Sequence, residues 1–545
     1  MSSVYDRLLI EIGNDDKFQK RFDLIHNTAF IFFWGMVYTN ILLALTIVPH
    51  MCELPEKPAN VSQQAWKLLY IPSYTDDSGR QKFDECRIHT NPSESNFTKA
   101  CDKFIYDKTW YEWTVSSEYD WICDKELNIV NILAYSKIGE IIGGFCFGWF
   151  GDVYGRRLTY FISTLMIIVG RFISLLAGNS YIIFLIGCLM ANFPSWSAPQ
   201  TGTIISTEIS SPRRRTVMTS LRFTASSLAL VVLALIFWWV RQWKIFLIVT
   251  TTPLILFLVI SWYTIESPRW LYTKGRHEEA ARILKKIAKV NKKQIDDKTE
   301  KELMSTVLGE TPKVLGPLAL FSGRKFTLRT FYQMFIWCSC NTSFVLLLMS
   351  SGEKKDGNPF LDFAWQAIAD IPAIYLGGWL ADKIGRRYSG VTSLGVLGLT
   401  WACIGFRENS VDGWIRQWWI GSILTIIARV ATTVGYVIIN IFNIELHPTC
   451  LRQSGLALGN SVSGICAAFT PYILYLGRRV DSRLPGIILT VTSLIGALSS
   501  YLLPETLNVP LPETIEEAKL FGQKNKTRES ILILPIYIIE LNTLD

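Results

Sequence analysis

An ionisable side chain inside a helix that crosses a bilayer costs about 2.5–3.5 kcal/mol at the membrane centre, so each one needs a partner or a task. This sequence places several in apolar runs. Asp370 precedes Ile371-Pro372, where proline frees backbone carbonyls, and it is the acid best placed to hold a cation. Glu140 has Lys137 three residues earlier on the same helix face, a spacing at which the two neutralise each other. Arg222 is a candidate for facing a cavity, while Arg171 and Arg429 read as structural. Trp337 and Phe344 are seven apart and share a helix face. Aromatic faces attract quaternary ammonium groups by roughly 0.5–2 kcal/mol each, with ordinary helix packing as the competing account of such rings. Bond-making chemistry has no comparable footing. The five histidines lack metal-ligand spacing, no Ser/His/Asp arrangement is legible, and no Gly-x-x-x-x-Gly-Lys-Ser/Thr phosphate loop occurs. The expectation is therefore no enzyme activity, no cofactor and no metal.

A second set of charges recurs in order. Gly151-Asp-Val-Tyr-Gly-Arg-Arg157 follows one apolar run and Ala381-Asp-Lys-Ile-Gly-Arg-Arg387 follows another, with the aspartates (152 and 382) 230 positions apart. Glu208 is followed seven residues on by Arg215, and Glu445 likewise by Arg452. Glu266-Ser-Pro opens a tail containing Glu278-Glu279-Ala280; Pro504-Glu-Thr opens one containing Glu516-Glu517-Ala518. Paired marks in fixed order describe a duplicated membrane bundle. The glycines permit a tight turn, and arginine can hold a carboxylate through two parallel bonds. Asp152, Arg156, Arg157, Glu208 and Arg215 in the first copy, with Asp382, Arg386, Arg387, Glu445 and Arg452 in the second, are expected to latch one face of the bundle shut and release it.

The elements that must carry these groups are helices. Half of the 545 residues are hydrophobic, and they fall in twelve runs near the 20 residues that cross a bilayer. The expected architecture is all-α, with twelve transmembrane helices in two six-helix halves. Residues 1–26 form a cytoplasmic N-terminus and 27–265 the first half, including a long extracellular loop at 50–128. A cytoplasmic linker (266–329), the second half (330–503) and a cytoplasmic tail (504–545) follow. Within the linker, Ala280, Ile283, Leu284 and Ile287 repeat at helical spacing, which reads as amphipathic helix under the bundle or as solvated linker. The N-terminus has the charges of an uncleaved first span rather than a signal peptide. The net charge of +8 falls in alternate loops, which points to membrane topology and not to nucleic acid. Arg156/Arg157, Arg213–Arg215, Arg386/Arg387 and the basic stretch 269–329 place the signature loops and both termini in the cytoplasm. Arg478, Arg479 and Arg483, with the shorter Arg241–Lys244 link, stand on the opposite side and break the rule. Cys52, Cys86, Cys101 and Cys123 lie in or at the ends of the long loop, with sequons at Asn60 and Asn96. That combination suits an oxidising extracellular loop held by two disulfides, whose pairing the sequence leaves open.

The sequence resembles the major facilitator superfamily and, more narrowly, the organic cation/anion/carnitine transporters (solute carrier family 22). Sugar transporters share both loop signatures and Glu266-Ser-Pro-Arg269. The narrower likeness rests on Tyr5-Asp6 to Gly13 with Phe18-Gln-Lys-Arg21, Pro49-His-Met-Cys52 and Glu118-Tyr-Asp-Trp-Ile-Cys123. Glu445-Leu-His-Pro-Thr449 and Pro504-Glu-Thr-Leu-Asn-Val-Pro-Leu-Pro-Glu-Thr-Ile-Glu-Glu517 complete it. The resemblance implies a plasma-membrane glycoprotein that moves small organic ions by alternating access within the lipid bilayer. It also implies that Trp337, Phe344 and Tyr436 line the central cavity and that Asp370 lies near the cargo. Where cation carriers of the family place Asp, and anion carriers Arg, this chain has Gly464, so the sign of the cargo does not carry over. Organic cations or carnitine-like zwitterions are the leading expectation. The alternatives are organic-anion exchange using Arg222 or Lys137, and a non-transporting sensor or scaffold acting through 266–329.

Overall fold

A computed structural model describes residues 4–512 apart from 57, 59–61, 76–80, 92–93, 195, 295–316, 353–356, 410–413, 416, 449–450 and 508–511. Among the described residues, eleven helices have the length and apolar composition to cross a membrane. In the first half these are Lys17–Ala44 (span 1), Cys123–Tyr154 (span 2), Arg156–Leu176 (span 3), Tyr181–Glu208 (span 4), Val217–Val240 (span 5) and Trp243–Tyr263 (span 6). In the second they are Arg324–Gly352 (span 7), Arg386–Arg407 (span 9), Trp418–Leu446 (span 10), Ser454–Arg479 (span 11) and Leu484–Leu502 (span 12). The twelfth, Pro359–Ile384 (span 8), is a 26-residue helix that carries Asp362, Asp370 and Asp382. At 1.5 Å per residue it is still about 39 Å long, enough to cross. The fold is the twelve-helix major facilitator architecture.

Local chemistry starts and bends these helices. Asn358 accepts from the N–H groups of Phe360 (3.0 Å) and Leu361 (3.3 Å), capping span 8, and Pro359 fills the first turn where no N–H is needed. Ser211 and Pro212 do the same ahead of span 5. Span 1 begins earlier than its apolar run because polar residues inside it are paired. Its π-helical turn Asp23–Ala29 turns Asp23 inward, where Arg214 holds it at 2.7 Å and Asn27 at 3.1 Å.

The expected amphipathic helix is present at His277–Asn291. Its buried face (Ala281, Leu284, Ile287, Ala288) packs on Leu8 and Leu9 of the N-terminal helix Val4–Glu11 and on Ile12 just after it, which rules out the solvated-linker alternative for this stretch. Asn291 secures the contact, donating to the carbonyls of Ile12 and Gly13 at 3.0 Å each.

The long loop adds small β-structure to an otherwise helical chain. His50–Cys52 pairs antiparallel with Phe104–Tyr106, Ser73–Thr75 with Gln81–Phe83, and Arg87–Asn91 with Glu94–Ala100. Disulfides join Cys52 to Cys101 and Cys86 to Cys123, each with 5.6 Å between Cα atoms. Asn96 lies on the strand Glu94–Ala100, its side chain outside the described residues; Asn60 and the apolar stretch 531–539 of the tail lie outside them altogether.

The two halves meet on the face that carries the long loop. Phe360, Phe363, Ala364 and Ala367 of span 8 join Phe237, Leu233 and Leu230 of span 5 in one cluster. Val345, Met349 and Ala467 join Leu42 and Leu133 in another. Toward the signature loops, by contrast, each apolar cluster belongs to one half only: Phe30, Tyr160 and Phe257 in the first, Ile438, Phe442 and Leu503 in the second. Among the described residues, the apolar clusters that join the two halves lie toward the loop face, and those named here toward the signature loops each lie within one half.

Candidate functional site

Tyr436 stands at the centre of the ring cluster expected in the second half. Its ring meets Trp337 at 5.9 Å and Phe344 at 5.8 Å, both edge-on, and its hydroxyl donates to Asn341 Oδ1 at 2.9 Å. Edge-to-face contacts of this kind are a favourable arrangement for aromatic pairs. The first half supplies a second cluster that sequence reasoning did not single out. Trp34 and Tyr38, one helical turn apart, stack at 5.1 Å, and Trp196 of span 4 closes on them at 5.0 and 5.6 Å. The four-residue spacing of Trp34 and Tyr38 was the available signal.

The charges inside the spans are largely paired. Lys137 and Glu140 meet at 3.1 Å as their spacing implied, and Tyr38 bonds to both. Asp370 is not open to a cargo as expected. Arg429, 59 residues on, grips it with Nε at 2.9 Å and Nη2 at 2.7 Å, and Thr433 donates at 2.6 Å. Both charged side chains are buried, and Phe344 lies flat against the guanidinium with 3.9 Å from Cζ to the ring centroid. A buried carboxylate must find a countercharge, and here the chain provides its own. Arg222 donates to Thr203 (3.0 Å) and Gln200 of span 4, and Arg171 to the Val37 carbonyl at 3.1 Å. Gly464 serves helix contact, since a Cβ there would come 2.9 Å from Ile141 across the interface.

The signature residues form two clusters of the same design, each inside its own half. Span 3 begins at Arg156, and its first N–H groups donate to Glu266: Arg156 at 2.8 Å to Oε1 and Arg157 at 3.1 Å to Oε2. Span 9 begins at Arg386, and Glu505 accepts from Arg386 at 2.9 Å and Arg387 at 3.1 Å. A carboxylate at a helix N-terminus satisfies orphan donors and sits at the positive end of the dipole. Gly155 (φ +109°) and Gly385 (φ +95°) make the turn, and a Cβ at either would run into that carboxylate. The next residue repeats as well: Ser267 bonds to Glu208 and Thr506 to Glu445. Arg156 meets Asp152 at 2.7 Å, and Arg386 meets Asp382 at 3.4 Å and Glu445 at 3.1 Å.

Two corrections to the latch follow. Among the described residues, the contacts named here staple helices within a half. The central anchors are Glu266 and Glu505, whose partners are backbone N–H groups that charge patterning does not display. The side chains of Arg215 and Arg452 lie outside the described residues.

Two six-helix halves, an aromatic cluster in each and one stapled turn in each are the pattern of a secondary transporter. Residues 91–517 match the family model described as sugar (and other) transporter. The chain belongs to that family, within the major facilitator superfamily, and its named relatives are organic cation and carnitine transporters, several of them in solute carrier family 22. The organic cation transporter protein of Drosophila melanogaster is 27% identical over 96% of both chains. Solute carrier family 22 member 2 of Homo sapiens is 28% identical over 83% of this chain and 80% of its own. The human organic cation/carnitine transporter 2 is 24% identical over 92% and 95%. Among solved structures, the inward-open xylose transporter XylE of E. coli superposes with a TM-score of 0.53 at 16% identity, covering 73% of this chain and 90% of XylE. That likeness shows the fold alone. The protein is a transporter working by alternating access, and not an enzyme.

Proposed function

We propose that the protein carries small organic cations or carnitine-like zwitterions across the plasma membrane, with the signature loops and both termini in the cytoplasm. Trp337, Phe344 and Tyr436 hold the cationic head, and Asp370 acts behind them through its pair with Arg429. The ring cluster around Tyr436 carries this reading. A quaternary head cannot accept or donate hydrogen bonds, so a wall of aromatic faces suits it better than a polar pocket. The neutralised Asp370–Arg429 pair removes the penalty that a bare carboxylate or guanidinium would impose on either sign of cargo. The relatives named for organic cations and carnitine point to the same class.

Thermal unfolding of the purified protein tests the site without requiring transport. A tetraalkylammonium ion or a carnitine-like betaine should raise the melting temperature in a concentration-dependent manner, as a ligand of the native state must. Trp337→Ala and Tyr436→Ala should each weaken binding roughly 2- to 30-fold, the range that 0.5–2 kcal/mol per ring contact spans. An unchanged ligand-induced shift in both variants would remove the rings from the site. Stabilisation by dicarboxylates alone would favour the anion-exchange alternative.

A further inference from the structure

The arginines that break the charge rule on the loop face have a structural explanation. Arg478 and Arg479 end span 11, and Glu126, almost fully buried, opens the long helix of span 2 in the other half. Arg478 Nη2 lies 3.0 Å from Glu126 Oε1 and Arg479 Nη2 2.7 Å from Oε2. Arg479 also donates from Nε to Oε2 at 2.9 Å and from Nη2 to the Cys123 carbonyl at 2.9 Å, beside the Cys86–Cys123 disulfide. Deeper along the same two helices, Tyr472 donates to Asn131 at 2.7 Å. Below that, Leu42 and Leu133 pack on Met349 and Ala467. One carboxylate, two guanidiniums and a desolvated seam cross the boundary between halves, whereas the described signature contacts do not.

We infer that Glu126, Arg478 and Arg479 are the outer gate: positioning residues whose ion contacts hold the loop face shut and must break for it to open. Fixing the clasp to the Cys123 carbonyl ties it to the disulfide-braced loop, so the loop is its doorframe. The inference rests on alternating access and on the loop face being extracellular, and is independent of which ion is carried.

The test places a reporter thiol below the seam, Asn341→Cys, in the full chain in intact cells. A membrane-impermeant methanethiosulfonate is applied from outside, and modification of each cysteine is followed by mass spectrometry. Cys188, fully buried, reports on folding. With the gate intact, the reporter thiol labels slowly. Glu126→Gln, and separately Arg478→Gln with Arg479→Gln, should accelerate it about tenfold while Cys188 stays protected, because either change leaves the buried Glu126 carboxylate or its two partly exposed guanidiniums without the opposite charge that holds the seam. Inverting the charges (Glu126→Arg, Arg478→Glu, Arg479→Glu) should return the rate toward the starting value. Unchanged labelling in the neutralised proteins with Cys188 protected overturns the gate. Should Cys188 become labelled in the neutralised variants, the inverted set decides: fast labelling of the reporter with Cys188 protected overturns the gate equally. Fast labelling before any gate substitution would instead overturn the placement of the loop face outside the cell.

Discussion

Replacing Asp370 by Asn should remove most of the folded protein, and with it most of the uptake, without that loss meaning that Asp370 touches cargo. Arg429 would keep its charge inside span 10 with its carboxylate partner replaced by a neutral amide, whose single acceptor oxygen it would share with Thr433. Breaking one side of a buried pair costs about 3–5 kcal/mol, because an uncompensated charge is left in low dielectric. That is a large share of the roughly 5–15 kcal/mol by which folded domains typically survive. Pairing Asp370→Asn with Arg429→Gln removes both charges and should recover much of the stability, a coupling that a double-mutant cycle on detergent melting temperatures reads directly. If Asp370→Asn melts with the unaltered protein, the pair is not formed. If the double variant folds and still binds a quaternary amine, the rings hold the cargo and the acid only supports them.

Glu505→Ala should be nearly as damaging, from a place far from any cargo. Its carboxylate accepts from the backbone N–H groups of Arg386, Arg387, Thr506 and Leu507. Without it, the first turn of span 9 loses its cap, and span 9 loses its tie to the chain leaving span 12. Hydrogen bonds to a charged group contribute about 1.5–3 kcal/mol each and are not additive, so a loss of about 2–3 kcal/mol is expected for the cluster. Glu505→Gln keeps one acceptor oxygen and should lose less. Gly385→Ala should resemble Glu505→Ala, because its φ of +95° and the carboxylate against it leave no room for a Cβ. Hydrogen exchange in 385–392 is the measurement: faster exchange confined to that turn and its partners supports the staple, while native protection in Glu505→Ala contradicts it. Glu266→Ala should act the same way on span 3.

Much of this architecture was legible because it repeats. The doubled signature placed the two halves, and helical periodicity found His277–Asn291. Span 8 was legible as one of the twelve apolar runs, and the loop signature that follows it marks its end. The site was less legible, for identifiable reasons. Asp370 read as a free acid because its partner lies 59 residues away on another helix, and sequence spacing reports only neighbours within a turn or two. Lys137 and Glu140, three apart, were read correctly for the same reason. Glu266 and Glu505 stood in the repeated Glu-Ser and Glu-Thr pairs, but their partners are N–H groups that nearly every residue has. Arg478 and Arg479 appeared only as exceptions to a topology rule, and the exception marked the contact between the halves. The pairing of Cys52 with Cys101 and Cys86 with Cys123 was not legible, because it depends on how the loop folds in three dimensions and not on cysteine spacing.

Uptake of a labelled quaternary amine into proteoliposomes clamped at defined potassium diffusion potentials tests the central claim most directly. One positive charge gains about 2.3 kcal/mol from 100 mV, enough for roughly 50-fold accumulation without ATP. The account predicts saturable uptake that rises steeply as the interior is made negative, for a monovalent cation, and little potential dependence for a zwitterion of no net charge. Entry no faster than into protein-free vesicles for both compounds, at every potential and with the protein shown to be folded, would contradict it.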